Sequence, residues 1–198
     1  MVRLDYSVSV TRPQLLPVSV ADAKKHLEIA ESDTSHDEHI RDLLEAAVEM
    51  VEHDADRALL TQTVVEKLDC WPSSLHIEVN RWPLQSVTSI QYVDTGGDTQ
   101  TWASGNYVVD TVRHVISPAY SVTYPAIRVE GTTGAITLTY VAGNTQPDIP
   151  RAALQAIKLQ VAQMFEMREP VLIGSISKAL EYSYDDCIQR LRRGRYPG

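Results

Sequence analysis

Hydrophobic and polar positions follow three successive patterns along this chain. Up to about residue 60, apolar residues recur at the three- and four-residue spacing of amphipathic helices. From residue 61 to 143 they alternate with polar residues, as in half-buried strands, and from residue 144 to 193 the helical spacing returns. The sequence therefore predicts an α+β protein, in which N- and C-terminal helices form a helical bundle with an inserted antiparallel β-sandwich or small barrel.

These patterns also give the expected domain boundaries. Residues 1–60 form the N-terminal helical part of a core, and residues 61–143 form the inserted antiparallel β-module. Residues 144–193 are C-terminal helices that complete the core, and residues 194–198 are a tail.

Capping residues indicate where the first helices begin. Ser19 is expected to cap one helix, with the Asp22 carboxylate in its first turn. Ser35 and Glu38 have the spacing of a capping box and predict the start of a longer helix. Its apolar side comprises Ile40, Leu43, Leu44, Ala47, Val48, Val51 and Ala55. The opposite side is predicted to be an acidic outer face of Asp42, Glu45, Glu49, Glu52 and Asp56.

The middle block reads as short strands joined by turns. Residues 75–80 (LHIEVN) and 135–141 (AITLTYV) alternate apolar with polar side chains. Residues 94–98 (DTGGD) predict a hairpin turn whose glycines can adopt a positive φ. The block's three later prolines are expected at strand starts or edges, at Pro83, Pro118 and Pro125.

The third block predicts a helix that is apolar on two sides. Asp148 is expected to cap it and Pro150 to lie in its first turn, while Pro170 ends it. One apolar stripe comprises Leu154, Ile157, Val161, Met164 and Phe165, and a second comprises Ala152, Ala156, Leu159 and Met167. Either both stripes are buried in one subunit, or the second is a subunit interface facing a neighbouring copy. Residues 175–193 predict a last helix.

Composition describes an ordinary globular protein of 198 residues, with 43% hydrophobic and 22% charged residues. Two distant cysteines have no metal-type spacing, which favours a reduced, cytosolic setting. The sequence has no apolar run long enough to span a bilayer and no recognisable signal peptide, so we expect no membrane association.

Charge is distributed unevenly. The chain has a formal net charge of -8, yet four arginines lie within its last nine residues. Without them, 14 basic residues face 26 acidic ones. This balance opposes nonspecific attachment to DNA phosphates and sets the basic tail apart from the rest.

The sequence contains no recognisable motif for catalysis, phosphate binding or zinc. An enzyme is therefore not expected, and we assign no catalytic, cofactor-binding or metal residues. The alternatives considered were a transition-metal site at His36, His39 and His53, acid/base pairs at Asp185–Asp186 or Glu166–Glu169, and a sugar-binding aromatic face. That face would comprise Trp71, Trp82, Trp102 and Tyr92, although such aromatics more often form the core of a small β-module.

Three stretches resemble one family at matching relative positions. Residues 44–72 (LEAAVEMVEHDADRALLTQTVVEKLDCWP) resemble its second helix leading into a first strand. Residues 81–111 (RWPLQSVTSIQYVDTGGDTQTWASGNYVVDT) are similar to its inner hairpin, and residues 149–171 (IPRAALQAIKLQVAQMFEMREPV) to its C-terminal helix. The family is that of the head-tail connector, or adaptor, proteins of tailed phages and phage-like particles. The resemblance covers about residues 15–170, and family members often end with a less basic segment.

The resemblance implies a structural protein of the virion, at the head-tail junction of a phage or phage-like particle and made in the host cytoplasm. Such connectors form a homo-oligomeric ring of about twelve copies beneath the portal protein. They join the capsid to neck or tail-completion proteins, and genomic dsDNA passes through their channel without sequence-specific binding. The family is not enzymatic and binds no cofactor. The β-module would then be a peripheral flange.

The family also suggests a role for the basic tail, because its C-terminal segment tends to dock against the portal. The portal-docking residues would be Arg190, Arg192, Arg193, Arg195 and Tyr196. Alternatively, the tail contacts DNA phosphates or remains in solvent. Rival functions are another neck component, such as a stopper or tail-completion protein, and a carbohydrate-binding or host-recognition module based on the β-block.

Overall fold

The computed structural model describes residues 7–11, 15–128, 133–166 and 176–192. These described residues have an α+β fold, with four helices and antiparallel sheets. The chain divides into two compact units. The β unit comprises Met1–Pro13 and Thr61–Gly143, and the helical unit comprises Gln14–Leu60 and Asn144–Gly198.

The helical unit contains helices α1 (Val20–His26), α2 (Asp37–Asp54), α3 (Arg151–Glu166) and α4 (Ile176–Leu191). Its core confirms the apolar stripe predicted for the long helix, because Ile40, Leu44, Ala47 and Val51 of α2 are fully buried. Burying side chains as large as Ile40, Leu44 and Val51 contributes roughly 1.5–3 kcal/mol each. The same core includes Ala153, Ala156, Ile157 and Val161 of α3 and Ile188 and Leu191 of α4.

The start of α1 agrees with its predicted cap. The Ser19 hydroxyl accepts a hydrogen bond from the backbone N–H of Asp22 at 3.0 Å. Asp22 lies in the first turn, where a carboxylate interacts favourably with the helix dipole.

The capping box predicted for α2 is wrong. Asp33 engages both the hydroxyl and the backbone N–H of Ser35, at 2.6 and 3.0 Å, so this serine closes a local turn instead. The N-cap position belongs to His36, which makes no side-chain capping bond. The acidic first residue of α2, Asp37, instead pairs with buried Lys24 at 2.9 Å.

The predicted cap of α3 also differs from the structure. Asp148 ends a short 3-10 turn (Gln146–Asp148), and its carboxylate accepts a hydrogen bond from the Thr145 hydroxyl. Pro150 directly precedes the helix, and its carbonyl accepts from the N–H of Ala153 at 2.9 Å. The Asp148 carboxylate thus bonds to Thr145 before the helix instead of capping α3.

The described part of the β unit contains eight strands in two antiparallel sheets. The five-stranded sheet has the order β1-β2-β8-β4-β5, and the three-stranded sheet has the order β3-β7-β6. The strands are β1 (Ser7–Thr11), β2 (Gln62–Leu68), β3 (Ile77–Glu78), β4 (Leu84–Val93), β5 (Thr99–Thr101), β6 (Tyr107–Asp110), β7 (Val115–Pro118) and β8 (Ile136–Ala142). Among these described strands no sheet closes on itself, so the small barrel considered from the sequence is wrong.

Strand β1 was not predicted and lies in a stretch assigned to the helical part. Its residues pair with β2 from Ser7–Lys67 to Thr11–Thr63, which places β1 at one edge of the larger sheet. A five-residue alternating segment at a chain end is too short to be distinguished from a loop by periodicity.

The remaining strand predictions hold in part. The turn at Asp94 is confirmed: the N–H of Gly97 donates to the Asp94 carbonyl at 3.0 Å, and Gly97 has a φ of 97°. Pro83 directly precedes β4 and Pro118 ends β7. By contrast, the strand predicted at residues 75–80 is reduced to Ile77–Glu78.

Candidate interaction sites

The two tail arginines that the structure describes are both engaged within the helical unit. Arg190 Nε lies 2.9 Å from Asp186 Oδ2, one helical turn away in α4. Arg192 Nε donates to the backbone carbonyl of Asp54 at 2.9 Å. The other predicted docking residues, Arg193, Arg195 and Tyr196, lie outside the described residues.

Asp54 joins the ends of two helices. It is the last residue of α2, where backbone carbonyls lack intrahelical partners, and the guanidinium of Arg192 satisfies one of them. The Tyr184 hydroxyl donates to Asp54 Oδ2 at 2.8 Å. Burial raises the pKa of Tyr184, and the hydrogen bond to Asp54 adds to this. We call Asp54, Tyr184 and Arg192 the helix-end clasp.

The interface residues predicted on α3 have different surroundings. Ala156 is fully buried in the core of its own unit, so its side chain has no surface to offer a second copy. Ala152 is half-buried and packs against that core, and Leu159 is also half-buried. Met167 lies outside the described residues. The two predicted stripes are therefore not separate surfaces, because Ala156 of the second stripe lies in the same core as Ile157 and Val161 of the first.

The predicted acidic face of α2 exists, with one correction. Asp42, Glu45 and Glu49 are exposed, as is Asp56 just after the helix. Glu52 is 93% buried rather than exposed, because only 7% of its surface is accessible. Its Oε1 accepts the backbone N–H of Leu59 at 2.7 Å and so holds the turn after α2.

Sequence analysis missed a buried carboxyl in the β unit. Glu66 of β2 and Tyr140 of β8 are both fully buried, and the tyrosine hydroxyl donates to Glu66 Oε1. The same oxygen accepts the N–H of Asn80 at 3.0 Å, and the tyrosine oxygen accepts the N–H of Arg81 at 3.0 Å. Burial raises the pKa of Glu66, although these hydrogen bonds oppose the shift.

The pair fixes the segment between β3 and β4 to the larger sheet. The second oxygen of Glu66, Oε2, has no hydrogen-bond partner within the described chain, which favours a neutral carboxyl. A signal was present in the sequence: in TVVEKL, Glu66 occupies the same alternating register as Val64 and Leu68, so one strand face includes all three.

The tryptophans considered as a sugar-binding face pack against other aromatic rings. Trp71 stacks on Tyr124 with centroids 4.8 Å apart and rings inclined by 13°. Trp102 is 96% buried, since its accessible fraction is 4%, and its centroid lies 5.3 Å from that of Trp71. The Trp71 N–H donates to the Pro125 carbonyl at 2.8 Å. This arrangement is that of a core, in which Trp102 has no exposed face for a sugar ring.

The histidines considered for a metal site do not form one. Within the described part of the chain, no group of three or more His, Cys, Asp or Glu side chains could hold a metal ion. His36 and His39 instead lie beside Phe165, with ring centroids 5.7 and 6.0 Å away. Over the same residues, no helix is long and apolar enough to cross a membrane.

The described members of the carboxylate pairs do not form an acid/base site either. Asp186 is ion-paired with Arg190, and Asp185 beside it is exposed. Glu169 lies outside the described residues. Exposed helix carboxylates of this kind are ordinarily solvated.

Comparisons with known proteins reveal a shared fold. No family model and no curated protein matches this sequence. Among solved structures, a chain in the neck of an empty GTA particle, computed with C6 symmetry, is similar with a TM-score of 0.74 and 22% identity. The match covers 96% of this chain and 98% of that chain.

Two further structures give the same result. A chain in the virion of a native gene transfer agent (GTA) particle has a TM-score of 0.73 and 20% identity, over 96% of this chain and 97% of that one. A chain in the neck of a native GTA particle, computed with C12 symmetry, has a TM-score of 0.68 and 20% identity. That match covers 96% of this chain and 98% of that chain. The chain therefore shares, over nearly its whole length, the fold of chains found in these particles.

Proposed function

We propose that this protein is a structural neck component of a phage-like particle, and specifically a head-tail connector. It forms a ring of about twelve copies beneath the portal, joins the capsid to neck or tail proteins and lines the channel for genomic DNA. The observation that carries this proposal is the end-to-end likeness to chains of GTA necks, including one computed with C12 symmetry. Its place would be the head-tail junction of the virion.

The electrostatic character of the surface supports a channel role. The chain carries a net charge of -8, and α2 has exposed carboxylates at Asp42, Glu45 and Glu49. Carboxylates repel DNA phosphates over roughly one Debye length, about 8–10 Å at physiological salt. A wall with this charge lets DNA pass without binding it.

The helix-end clasp changes the assignment of the docking tail. Because Arg190 and Arg192 have partners within the helical unit, we assign portal docking chiefly to Arg193, Arg195 and Tyr196. Arginine forms forked hydrogen bonds with carboxylates, and a tyrosine can anchor an interface. The corresponding portal surface would be acidic.

The α3 surface is the proposed contact between neighbouring connector copies on the helical side. Ala152 and Leu159 are its half-buried members, and Met167 completes the predicted set. Ala156 contributes indirectly, through the core that holds α3 in place.

The test is binding to the cognate portal by the full chain and by a chain ending at Arg192. The cut falls there because Ile188 and Leu191 belong to the core, so a deletion from residue 188 would damage folding. We expect the shortened chain to lose at least about tenfold in affinity, and the loss to shrink as salt is raised from about 0.05 to about 0.5 M. Arg193→Gln with Arg195→Gln is the matched full-length control for charge.

Each result separates the candidate functions. Equal portal binding by both chains overturns the docking assignment and retains the connector. Binding to neck proteins but not to the portal identifies a stopper or tail-completion protein instead. Binding to neither, with retention of glycans by the β unit, favours host recognition and overturns the connector.

A further inference from the structure

The turn of the β6–β7 hairpin contains a histidine whose ring has a defined hydrogen-bond role. His114 is the last residue before β7, and its Nδ1 lies 3.2 Å from the backbone nitrogen of Leu84, the first residue of β4. A backbone N–H can only donate, so Nδ1 is the acceptor and carries no proton. The proton of the neutral ring is then on Nε2. The imidazole therefore fastens the turn of the small sheet to a strand of the larger sheet.

The backbone of the turn depends on contacts of this kind. Asp110 Oδ1 accepts the N–H groups of Val112 and Arg113 at 2.9 and 2.8 Å and so closes the turn. His114 has a φ of 56°, a left-handed conformation that is uncommon for residues other than glycine. Such a conformation persists where surrounding contacts offset its cost. The hydrogen bond to Leu84 is one of these contacts, so its loss should loosen the turn.

The donor of this hydrogen bond lies in a buried position. Leu84 is 3% exposed and pairs with Ala142 in the ladder between β4 and β8. A buried N–H that loses its acceptor is not readily compensated by water. The Trp82 ring also lies against the imidazole, with centroids 5.7 Å apart and planes inclined by 31°. Because an indole ring tolerates a neighbouring cation, Trp82 does not prevent protonation of His114.

Solvent reaches this part of the hairpin. Val108 and Val112 have 58% and 87% of their surface accessible, and Arg113 is exposed. His114, beside Arg113, is half-buried. The imidazole therefore exchanges protons with bulk water, although its hydrogen-bond partner is buried.

Charged groups of both signs lie around the ring. They are Asp110 and Arg113 of the hairpin, Glu78 of β3, which pairs with the residue after His114, and Arg81 of the segment before β4. The Asp110 carboxylate interacts electrostatically with His114 and favours a charged ring, whereas Arg113 opposes it. Two acidic and two basic groups thus neither enforce nor forbid protonation. Histidine is the side chain that ordinarily changes its charge between about pH 5 and 8.

The other histidine of the β unit makes a hydrogen bond that is compatible with either charge state. His76 Nδ1 lies 2.7 Å from Ser117 Oγ, across the pair of strands β3 and β7. A hydroxyl group can donate to a neutral ring and, after rotating, accept from a charged one. The backbone N–H that bonds to His114 can only donate. The two histidines of the small sheet should therefore respond differently to acid.

We propose that His114 is an acid-sensitive fastening, which holds the β6–β7 turn to the start of β4 when the ring is neutral and releases it when the ring is protonated. A proton taken up at Nδ1 removes the acceptor of the Leu84 N–H and leaves two donors facing each other. The fastening is intact at high pH and is lost as pH falls through the histidine range. Release is local, because Ile116 of β7 stays buried and Asp110 still pairs with Val115.

The first test determines the tautomer of His114 in the full-length wild-type chain. Nitrogen–proton correlation spectra of protein with isotope-labelled histidine, at about pH 7.5, should show a neutral ring protonated at Nε2. The His114 signals are identified by their through-space contacts with the Trp82 indole, so no variant is needed. A ring protonated at Nδ1 overturns the proposal, because it cannot accept the Leu84 N–H.

Hydrogen exchange measures the release itself. From about pH 8 to about pH 5, the protection of the Leu84 amide, corrected for the intrinsic exchange rate at each pH, should fall at least about tenfold. The amides of Val112 and Arg113 should lose protection over the same range. Their acceptor stays ionised there, because the hydrogen bond from the Arg113 N–H lowers the pKa of Asp110.

Two variants with the same substitution assign the response. In His114→Asn the pH dependence of Leu84 protection should disappear, since asparagine tolerates a positive φ and does not titrate. His76→Asn is the matched control and should behave as wild type. A response that persists in His114→Asn, or disappears in His76→Asn, overturns the role of His114. Constant Leu84 protection in the wild type overturns the fastening, and a fall at Leu84 without one at Val112 and Arg113 overturns release of the turn.

The buried carboxyl of Glu66 is monitored in the same experiment. The amide of Asn80 donates to Glu66 Oε1 and therefore reports on that group. Because the pKa of Glu66 is raised, its hydrogen bonds change in the opposite sense, as pH rises. A Leu84 response that follows that of Asn80 in direction and midpoint would belong to Glu66 and would overturn the proposal.

Discussion

The two units each contain a tyrosine that donates a hydrogen bond to the carboxyl group of an acidic residue, and the two pairs have different consequences. In the β unit, Tyr140 and Glu66 are fully buried and project from adjacent strands of one sheet. In the helical unit, Tyr184 and Asp54 are partly exposed and join the middle of α4 to the end of α2. The same chemical pair therefore organises a core in one unit and fastens two helices at the surface of the other.

The difference follows from solvent access. If a hydrogen bond to Asp54 is removed, water can replace the missing donor. If a hydrogen bond to Glu66 is removed, the polar atom stays unpaired in an apolar environment. Burial also raises the pKa of Glu66 itself. Mutation and pH should consequently disturb the β unit more than the helical unit.

The largest expected effect is that of Tyr140→Phe. The change leaves the N–H of Arg81 without this acceptor and removes a donor from Glu66, at a cost of about 1–3 kcal/mol in the free energy of unfolding. All three tryptophans belong to the β unit, so urea unfolding followed by tryptophan fluorescence reports on it. Tyr120→Phe, at a 98% exposed residue, should leave the midpoint unchanged. Equal midpoints for the two variants would contradict a structural role for the buried pair.

The next effect is a dependence of β-unit stability on pH. Because the pKa of Glu66 is raised above its ordinary value of 4.5, the folded unit holds this proton more tightly than the unfolded chain does. The resulting stability is complete below the ordinary pKa and is lost as pH rises through the folded-state pKa. The effect is smaller than that of Tyr140→Phe because both hydrogen-bond donors to Oε1 remain.

Glu66→Gln isolates this titration. Glutamine stays neutral, so the difference in unfolding free energy between wild type and variant should shift in favour of the variant from about pH 5 to about pH 8. The pKa values of Asp94 and Asp110 are lowered by hydrogen bonds, so their contributions are lost only as pH falls, outside this range. A pH-independent difference would show that the Glu66 carboxyl does not titrate in this window.

Tyr184→Phe should have a smaller effect than Tyr140→Phe. It removes one partly exposed hydrogen bond to Asp54 and is expected to cost about 0.5–1.5 kcal/mol, read from circular dichroism at 222 nm during urea unfolding. A loss as large as that of Tyr140→Phe would contradict the role assigned to solvent.

The smallest effects are expected at the two arginines. Arg192→Ala removes a cation from the carboxyl end of α2 and should cost under about 1 kcal/mol, with faster amide exchange at the end of α2. Arg190→Ala breaks an exposed pair within α4 and should leave the midpoint unchanged. If Arg190→Ala proved the more damaging, the assignment of Arg192 to the helix-end clasp would be wrong.

Several features could be predicted because local sequence decides them. The 3.6-residue spacing of Ile40, Leu44, Ala47 and Val51 leaves a helix one face to bury. The Asp94–Asp98 turn follows from glycine's tolerance of positive φ. The Ser19 cap needs only a neighbouring N–H.

Other features depended on competition between partners. The Ser35 hydroxyl could either cap α2 or bond within the preceding turn. In the structure it bonds to the carboxylate of Asp33, two residues away, and does not cap the helix. Glu52 belongs to an acidic face by sequence, yet it turns to the N–H of Leu59 beyond the end of its helix. Periodicity predicts on which face of a helix or strand a residue lies. It does not predict a hydrogen-bond partner that comes close only when the chain folds.

The sequence by itself determined the order of helical and strand blocks, the apolar stripe of α2, the acidic surface and the basic tail, because each depends on residues close together in the chain. Tertiary structure alone decided that β1 joins the larger sheet and that Glu66 meets Tyr140, 74 residues away. It also decided that Arg192 reaches Asp54 across 138 residues and that the β6–β7 hairpin exposes its apolar side chains. The physical reason is that burial and hydrogen-bond partners are properties of the packed chain, whereas periodicity and capping are properties of a short segment.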